Sequence, residues 1–388
     1  MKTVTQKSDL AINGAPPAFE QFLHVGRPNV GNKEELLQAL GDIVDRNWLT
    51  NDGPLVREFE GTVARFHNVK HCVAICNGTI ALEIAIRALG LKGEVIVPSY
   101  TFIATAHALS WQGITPVFAD IDPTTHNLDP AAVRSMITPN TTGIIGVHLW
   151  GRPAPVNELA QIAEEFDLKL MYDAAHAFGA SLNGMKIGAF GKCEVLSFHA
   201  TKVLNSFEGG AILTNDPELA QTAKLMRNFG FAGFDNVIHP GTNGKMTEIC
   251  AAMGLTNFRY FSRFVESNRS AYQRYAEALR NVPGIRLLEY DNDNHPNYHY
   301  IVVEIEKGGE ARDKVIEALH AENVLARKYF WPGCHGMQTY KSIYPHAGLL
   351  LQHTNRIADR VIVLPNGASL PEGAEACISD IIRVVLAN

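Results

Sequence analysis

No stretch of the chain approaches the roughly 18 consecutive apolar residues of a membrane-spanning helix. The opening residues, MKTVTQKSDLAINGAPPAF, contain no unbroken apolar segment of the kind a secretory signal requires. A cytoplasmic protein is expected. Runs of lysine or arginine are also missing: the formal charge is −6 with both signs dispersed, which argues against nucleic acid as a partner. Cysteine is sparse. The six residues Cys72, Cys76, Cys193, Cys250, Cys334 and Cys377 are scattered over the whole length, so free thiols are expected rather than a disulfide framework. His71, Cys72 and Cys76 stand close together, but their spacing matches no common zinc pattern and HCVAIC reads as a strand, so no metal site is expected. There is no GxGxxG, and GKC at 191–193 fails a P-loop at its first glycine and at its hydroxyl residue. Internal repeats and low-complexity tracts are absent as well.

What is present is 388 residues of ordinary soluble composition, more than one core usually absorbs, so two domains are expected. Between residue 70 and about 230, short β-branched runs alternate with amphipathic stretches: HCVAIC then IALEIAIRALGL, EVIVPS then FIATAHALSWQG, GIIGVHL then VNELAQIAEEF, LKLMYDAA, CEVLSF and GAILTN. Apolar runs that do not alternate in polarity suit strands covered on both faces, and interleaved helices imply an α/β fold with a mostly parallel sheet. A long helical stretch, ICAAMGLTNFRYFSRFVESNRSAYQRYAEALRN, reads as one helix or two closely spaced ones. A smaller mixed domain follows from near residue 260. The first fifty residues hold one clear helix, EELLQALGDIVDRN, and are expected to wrap over a neighbour.

In such sheets ligands sit beyond the carboxyl ends of the strands. CNGTIALEIA places Asn77, Gly78 and Thr79 between a strand and a helix, which suits either a bound phosphate or a plain N-cap. VPSYTFIATAH places Tyr100 and Phe102 at another strand end, as core or as a stacking surface for a planar ring. In LMYDAAHAFGA, Asp173 ends an apolar strand with His176 three residues on. A carboxylate there caps a short helix or waits for a cation. SFHATKVLNSFEGGAILTND sets Lys202 between an apolar run and a glycine pair. Desolvation there would lower its pKa and free the amine as a nucleophile. Together, a phosphate seat, a stacking aromatic, a carboxylate and a desolvated lysine make a site for pyridoxal 5'-phosphate.

With these motifs the sequence resembles the nucleotide-sugar aminotransferases among the fold-type I pyridoxal phosphate enzymes. The resemblance runs through NWLTNDGPLVREFE, NGTIALEIA, VPSYTFIATAHAL, PVFADIDPTTHNLDP, VHLWG, YDAAHAFGA, SFHATKVLNSFEGGAILTND, GTNGKMTEICAAMGL and RKYFWPGCH, in the family's order. It implies an N-terminal segment and large domain over residues 1–258, built on a seven-stranded mostly parallel sheet, and a smaller C-terminal α+β domain over 259–388. It also implies a homodimer with active sites at the subunit interface, working in deoxysugar biosynthesis for O-antigen or lipopolysaccharide. By the same resemblance Lys202 carries the cofactor as a Schiff base and Asp173 meets the pyridine nitrogen. His176 lies near the phenolic oxygen, Phe102 stacks, and Gly78, Thr79 and Ser197 hold the phosphate. Asn243 reaches the phosphate from the other subunit. Relatives that dehydrate rather than transaminate replace the lysine by histidine, and here Lys202 is kept.

The implied substrates are L-glutamate and a nucleotide-linked keto sugar, with amination at carbon 4 of dTDP-4-keto-6-deoxyglucose. Arg27 in HVGRPN, with Arg327, Lys328, Tyr329 and His335 in ARKYFWPGCH, are candidates to contact it, or else solvated surface groups. Gly333 and Cys334 depart from the proline-leucine of many relatives, which makes the surroundings of His335 a local departure. Amination at carbon 3 and a non-catalytic aminotransferase-like sensor are the rival readings. A sensor would want a DNA-binding segment, and the first fifty residues hold no basic helix-turn-helix. A lyase or desulfurase would want an activated loop cysteine, which none of the six resembles.

Overall fold

The computed structural model describes residues 2–387. One seven-stranded sheet runs, edge to edge, through His71–Ile75, Gly210–Thr214, Glu194–Ser197, Lys169–Asp173, Thr141–Val147, Glu94–Pro98 and Thr115–Ala119. All neighbours pair parallel except Gly210–Thr214, which is antiparallel to both of its partners. The exception follows from the chain. Residues 198–209 join Ser197 to Gly210 without a helix, whereas a parallel return needs a longer and usually helical crossover.

The strands are buried on both faces because helices cover both. Along His71–Ile75, Val73 and Ile75 join one core cluster while Cys72 and Ala74 join another, as the two-residue period of a strand requires. Fully burying a side chain the size of Val73 or Ile75 contributes about 1.5–3 kcal/mol, so even this edge strand adds substantially to the domain's stability. Its carboxyl edge gathers Gly78, Ser99 to Phe102, His148 to Trp150, Asp173 and Ser197 into one region.

The helical stretch near residue 260 divides into Glu248–Arg259 and Phe261–Leu279. Beyond it, an antiparallel three-stranded sheet of Ile285–Leu287, Ile301–Ile305 and Val361–Leu364 packs with the helices Phe261–Leu279, Gly309–Ala321 and Ala374–Leu386. The N-terminal segment, grouped above with the large domain, lies against this smaller one instead. Val4, Leu10, Ala18, Phe19 and Leu23 are part of its core, and Leu23–His24 pairs with Val324–Leu325. The buried Glu322 carboxylate fixes the arrangement by accepting the N–H groups of Ala11 (2.7 Å) and Ala18 (2.6 Å) and pairing with Lys2. From there residues 25–31 cross to the large domain as a strap and enter the helix Lys33–Arg46. Among the described residues no helix is long and apolar enough to cross a membrane.

Candidate active site

Lys202 stands on the loop between Glu194–Ser197 and Gly210–Thr214. That loop is closed on itself by Phe198 N–H to Gly209 O (2.7 Å), Ser206 N–H to Phe198 O (2.9 Å) and Lys202 N–H to His199 O (2.8 Å). The glycine pair has a steric reason: a Cβ on Gly210 would lie 2.5 Å from Asn77 O and 2.8 Å from Gly78 N. Only glycine there lets the lysine loop meet the start of the helix Gly78–Ala88. Burial lowers the Lys202 amine to about 8, and the Asp173 carboxylate partly opposes that shift.

At that helix start Asn77 is the N-cap, its Oδ1 accepting from Ile80 N–H at 2.9 Å. The N–H groups of Gly78 and Thr79 have no acceptor within the helix and remain for a ligand, at the positive end of the helix dipole. Capping and anion binding are thus served by different residues. Ser197 adds a hydroxyl beside them: a Cβ on Gly78 would be 3.2 Å from Ser197 Oγ. This set of donors suits a phosphate.

Asp173 is buried and accepts Ala175 N–H at 3.1 Å and the Thr105 hydroxyl at 2.8 Å. Desolvation raises its pKa against these bonds and against the Lys202 charge, so a cation placed there would relieve the carboxylate. His176 is buried too, and burial holds its pKa well below the ordinary value. Its Nδ1 accepts Trp150 N–H at 3.3 Å, so the neutral ring carries its proton on Nε2 as a donor.

Several residues of the site were not singled out by sequence reading. Trp150, with φ of 60°, lies near-parallel to both this ring and Phe330, at centroid distances of 6.0 and 5.2 Å, and those two rings are 6.0 Å from each other. Asn297 donates to the carbonyl of His176 at 2.9 Å and to that of Phe178 at 3.2 Å, which ties the small domain to the site. His299, lowered to about 3 mainly by burial and then by the Lys202 charge, sits close to that lysine and bonds the Thr201 backbone. Trp150 lay within VHLWG, one of the stretches that carry the family resemblance, just past the strand read in GIIGVHL. Thr105 lay within VPSYTFIATAH without being named, and Asn297 and His299 had no signal.

Phe102 is 54% exposed, a large apolar face left open beside Phe330, while Tyr100 is core, with its hydroxyl donating to Tyr329 O at 2.8 Å. Phe102, Tyr329 and Arg327 line a groove there, and Arg327 lies over the Tyr329 ring at 4.9 Å. His335 departs from its expected place. It is buried, does not line that groove, and holds Ser99 Oγ at 2.7 Å from Nδ1. The reason is Gly333: its φ is +83°, and a Cβ there would press on both His335 and Ser99 at 3.1 Å. The glycine turns the histidine inward, onto Ser99. Arg27 lies on the strap, exposed and lining a second groove. Asn243 is exposed, its backbone bridging Asn228, and its side chain makes no hydrogen bond among the described residues.

The donor set therefore fits a phosphorylated, planar, cation-bearing cofactor: free N–H groups and a hydroxyl at one end, an open aromatic face, a buried carboxylate and a lowered amine. Among the described residues no group of three or more histidine, cysteine or acidic side chains could hold a metal ion.

Comparison with known proteins agrees. The dTDP-4-amino-4,6-dideoxy-D-glucose transaminase of Shigella dysenteriae is 36% identical over 95% of this chain and 100% of its own. The GDP-perosamine synthase of Caulobacter vibrioides is 34% identical over 89% of this chain and 92% of its own. The crystal structure of DesI in the presence of its TDP-sugar product is 46% identical, covers 97% of this chain and 96% of its own, and superposes with a TM-score of 0.92. The model of the DegT/DnrJ/EryC1/StrS aminotransferase family matches residues 31–383. A lysine and a carboxylate at the carboxyl edge of this sheet, with those matches over nearly the full length, establish that the chain belongs to the DegT/DnrJ/EryC1/StrS aminotransferase family.

Proposed function

We propose that the protein moves an amino group from L-glutamate to carbon 4 of dTDP-4-keto-6-deoxyglucose, using pyridoxal phosphate. The observation that carries this reading is the Lys202 amine, lowered to about 8 beside the buried Asp173. When bound, pyridoxal phosphate supplies an aldehyde to receive the amino group and a ring to accept electrons. The protein's own groups do the rest. Gly78 and Thr79 N–H and the Ser197 hydroxyl would hold the phosphate, Phe102 would cover the ring face, and Asp173 would favour a cationic ring nitrogen. His176 Nε2–H donates near the phenolic oxygen. Lys202 Nζ would anchor the cofactor as its amine nucleophile and, as a free amine, would take the proton from the donor's α carbon. In the second half-reaction it delivers a proton to the sugar carbon that becomes the amine-bearing centre.

The sugar assignment rests on the Shigella relative and on DesI. A 34% identical relative from Acidithiobacillus ferrooxidans, a UDP-N-acetyl-3-dehydro-alpha-D-glucosamine 3-aminotransferase, keeps amination at carbon 3 as the second reading. Incubating the protein with glutamate and each of a panel of nucleotide keto sugars, then locating the new amine by mass and NMR, decides between them. Amine at carbon 4 of the dTDP sugar is expected. Amine at carbon 3 would overturn the assignment, and no product from any keto sugar despite bound cofactor would favour a sensor.

We further propose a homodimer in which Asn243 reaches the phosphate of the neighbouring subunit's site. Beside Asn243, the segment 229–238 exposes Phe229, Phe231, Val237, Ile238 and a 99% exposed Phe234, a cluster of open apolar side chains that an interface would cover. Phe234→Asp is expected to yield monomers in sedimentation and to cut turnover by about tenfold or more, the scale of one interface hot spot. A variant that stays dimeric and fully active would count against this interface.

A further inference from the structure

Two buried residues beside the site stand in the left-handed backbone region that few residues other than glycine adopt: His126, with φ of 63°, and Trp150, with φ of 60°. Their side chains meet. The indole N–H of Trp150 donates to His126 Nδ1 at 3.3 Å. An indole nitrogen can only donate, so His126 Nδ1 carries no proton and the Nε2–H donates to Glu304 Oε1 at 2.9 Å. Burial lowers the pKa of His126, with the Arg286 and Arg152 charges adding to it and Glu304 opposing it, which keeps the ring in that neutral form. Glu304 also receives Arg286 and lies on Ile301–Ile305, the central strand of the small domain's sheet.

Trp150 uses its second N–H in the same way. Its backbone N–H donates to His176 Nδ1 at 3.3 Å, which leaves the His176 proton on Nε2. Among the described residues that Nε2–H makes no hydrogen bond, and the ring is close enough to Lys202 for the lysine's charge to lower its pKa further. Two neutral histidines thus depend on one tryptophan, one bonded to Glu304 and the other left as a donor in the active site. A bulky residue persists in left-handed backbone only where its surroundings over-determine it, and such residues gather at functional sites. Around Trp150 those surroundings are His126, the Tyr290 hydroxyl 3.0 Å from its carbonyl, and the Phe330 ring. The loop itself has a separate tie: Asn127 accepts Leu149 N–H at 3.2 Å and donates to Pro153 O at 2.8 Å. Removing His126 therefore frees the indole without releasing the loop.

We infer that His126 and Glu304 are positioning residues for the reaction: acting through Trp150, they fix which nitrogen of His176 carries the proton. Without an acceptor the buried indole N–H is costly where it stands, so the indole turns and carries the backbone N–H off His176, whose two neutral tautomers then compete. The group that His176 donates to, the phenolic oxygen, rests on the proposed function; the coupling does not.

Four variants test it. His126→Leu and Glu304→Leu each remove an acceptor. His126→Asn keeps an oxygen for the indole and tolerates left-handed backbone, and Glu304→Gln keeps an oxygen for the His126 Nε2–H. NMR of the cofactor-free protein with isotope-labelled histidine, the His176 signals being identified by their loss in His176→Gln, reads the tautomer. Wild type, His126→Asn and Glu304→Gln should show the Nε2–H form of His176 alone, and both leucine variants a mixture. In the cofactor-loaded protein the leucine variants should lose up to about 100-fold in turnover, the scale of an ångström of misplacement, with KM for glutamate unchanged. The two conservative variants should recover most of it. Losses in the double leucine variant should not add, since both act through one indole. A single Nε2–H tautomer in both leucine variants, or equal turnover losses in the conservative and the leucine variants, overturns the inference. Glu304 borders a surface groove, so Glu304→Leu carries the test should His126→Leu not fold. A wild type that transaminates nothing would refute the proposed function, and the His176 tautomer in the leucine variants would still decide this inference.

Discussion

Lys202→Ala is expected to abolish borohydride-trapped cofactor and to lower turnover about 10⁴-fold, the upper end for a positioned acid-base group, because the same amine also anchors the cofactor. Lys202→Arg should fail equally. It keeps the charge, but a guanidinium does not deprotonate, so the comparison separates a nucleophile from a mere cation. The pH dependence follows from burial. With its amine lowered to about 8, the cofactor-free protein should capture pyridoxal phosphate at a rate that rises with pH through that value and then levels. At neutral pH about a tenth of the amine is then unprotonated, roughly 300 times the share of an ordinary lysine. A capture midpoint near 10.5, or an adduct that survives in either variant, would remove Lys202 from the chemistry.

The parts of this site legible in the sequence are those at strand ends. Buried parallel strands have a local signature, unbroken apolar runs, so the residues just past them could be found one by one. Gly78, Asp173 and Lys202 were each visible in this way, whereas Ser197 came only with the family resemblance. What stayed hidden depends on partners far along the chain. Ala11 and Ala18 are bound by Glu322 across more than 300 residues, and no pattern near either end announces that pairing. His335 was a candidate substrate contact through the resemblance of ARKYFWPGCH to the family, with Gly333 and Cys334 noted as a departure beside it. Its inward turn is set by the left-handed backbone of Gly333, which composition does not reveal. Asn297 and His299 precede the strand Ile301–Ile305, and only tertiary packing brings them to Lys202 and His176.

Asp173→Asn should separate stability from function. The carboxylate in the cofactor-free protein is held against its environment: desolvation raises its pKa, and the bonds from Ala175 and Thr105 and the nearby Lys202 charge only partly compensate. Because the net shift is upward, ionising this group costs folding free energy, and the cost is present at all pH values above its ordinary range. Asparagine removes the charge without losing the bonds. Its Oδ1 can accept Ala175 N–H, while its amide donates to Thr105 Oγ1, which can turn its own proton toward Thr101 Oγ1 at 3.1 Å. The cofactor-free variant should therefore melt at or above the wild-type temperature at neutral pH. Its capture midpoint should fall below that of the wild type, since the carboxylate is what raises the Lys202 amine. Turnover should move the other way. Losing one partner of a buried ion pair to the ring costs roughly 2–5 kcal/mol, or about 30- to 5,000-fold in rate. Wild-type turnover in the variant would show that no cation develops opposite Asp173. A lowered melting temperature of the cofactor-free protein would show that the carboxylate is there to hold the fold and not the cofactor.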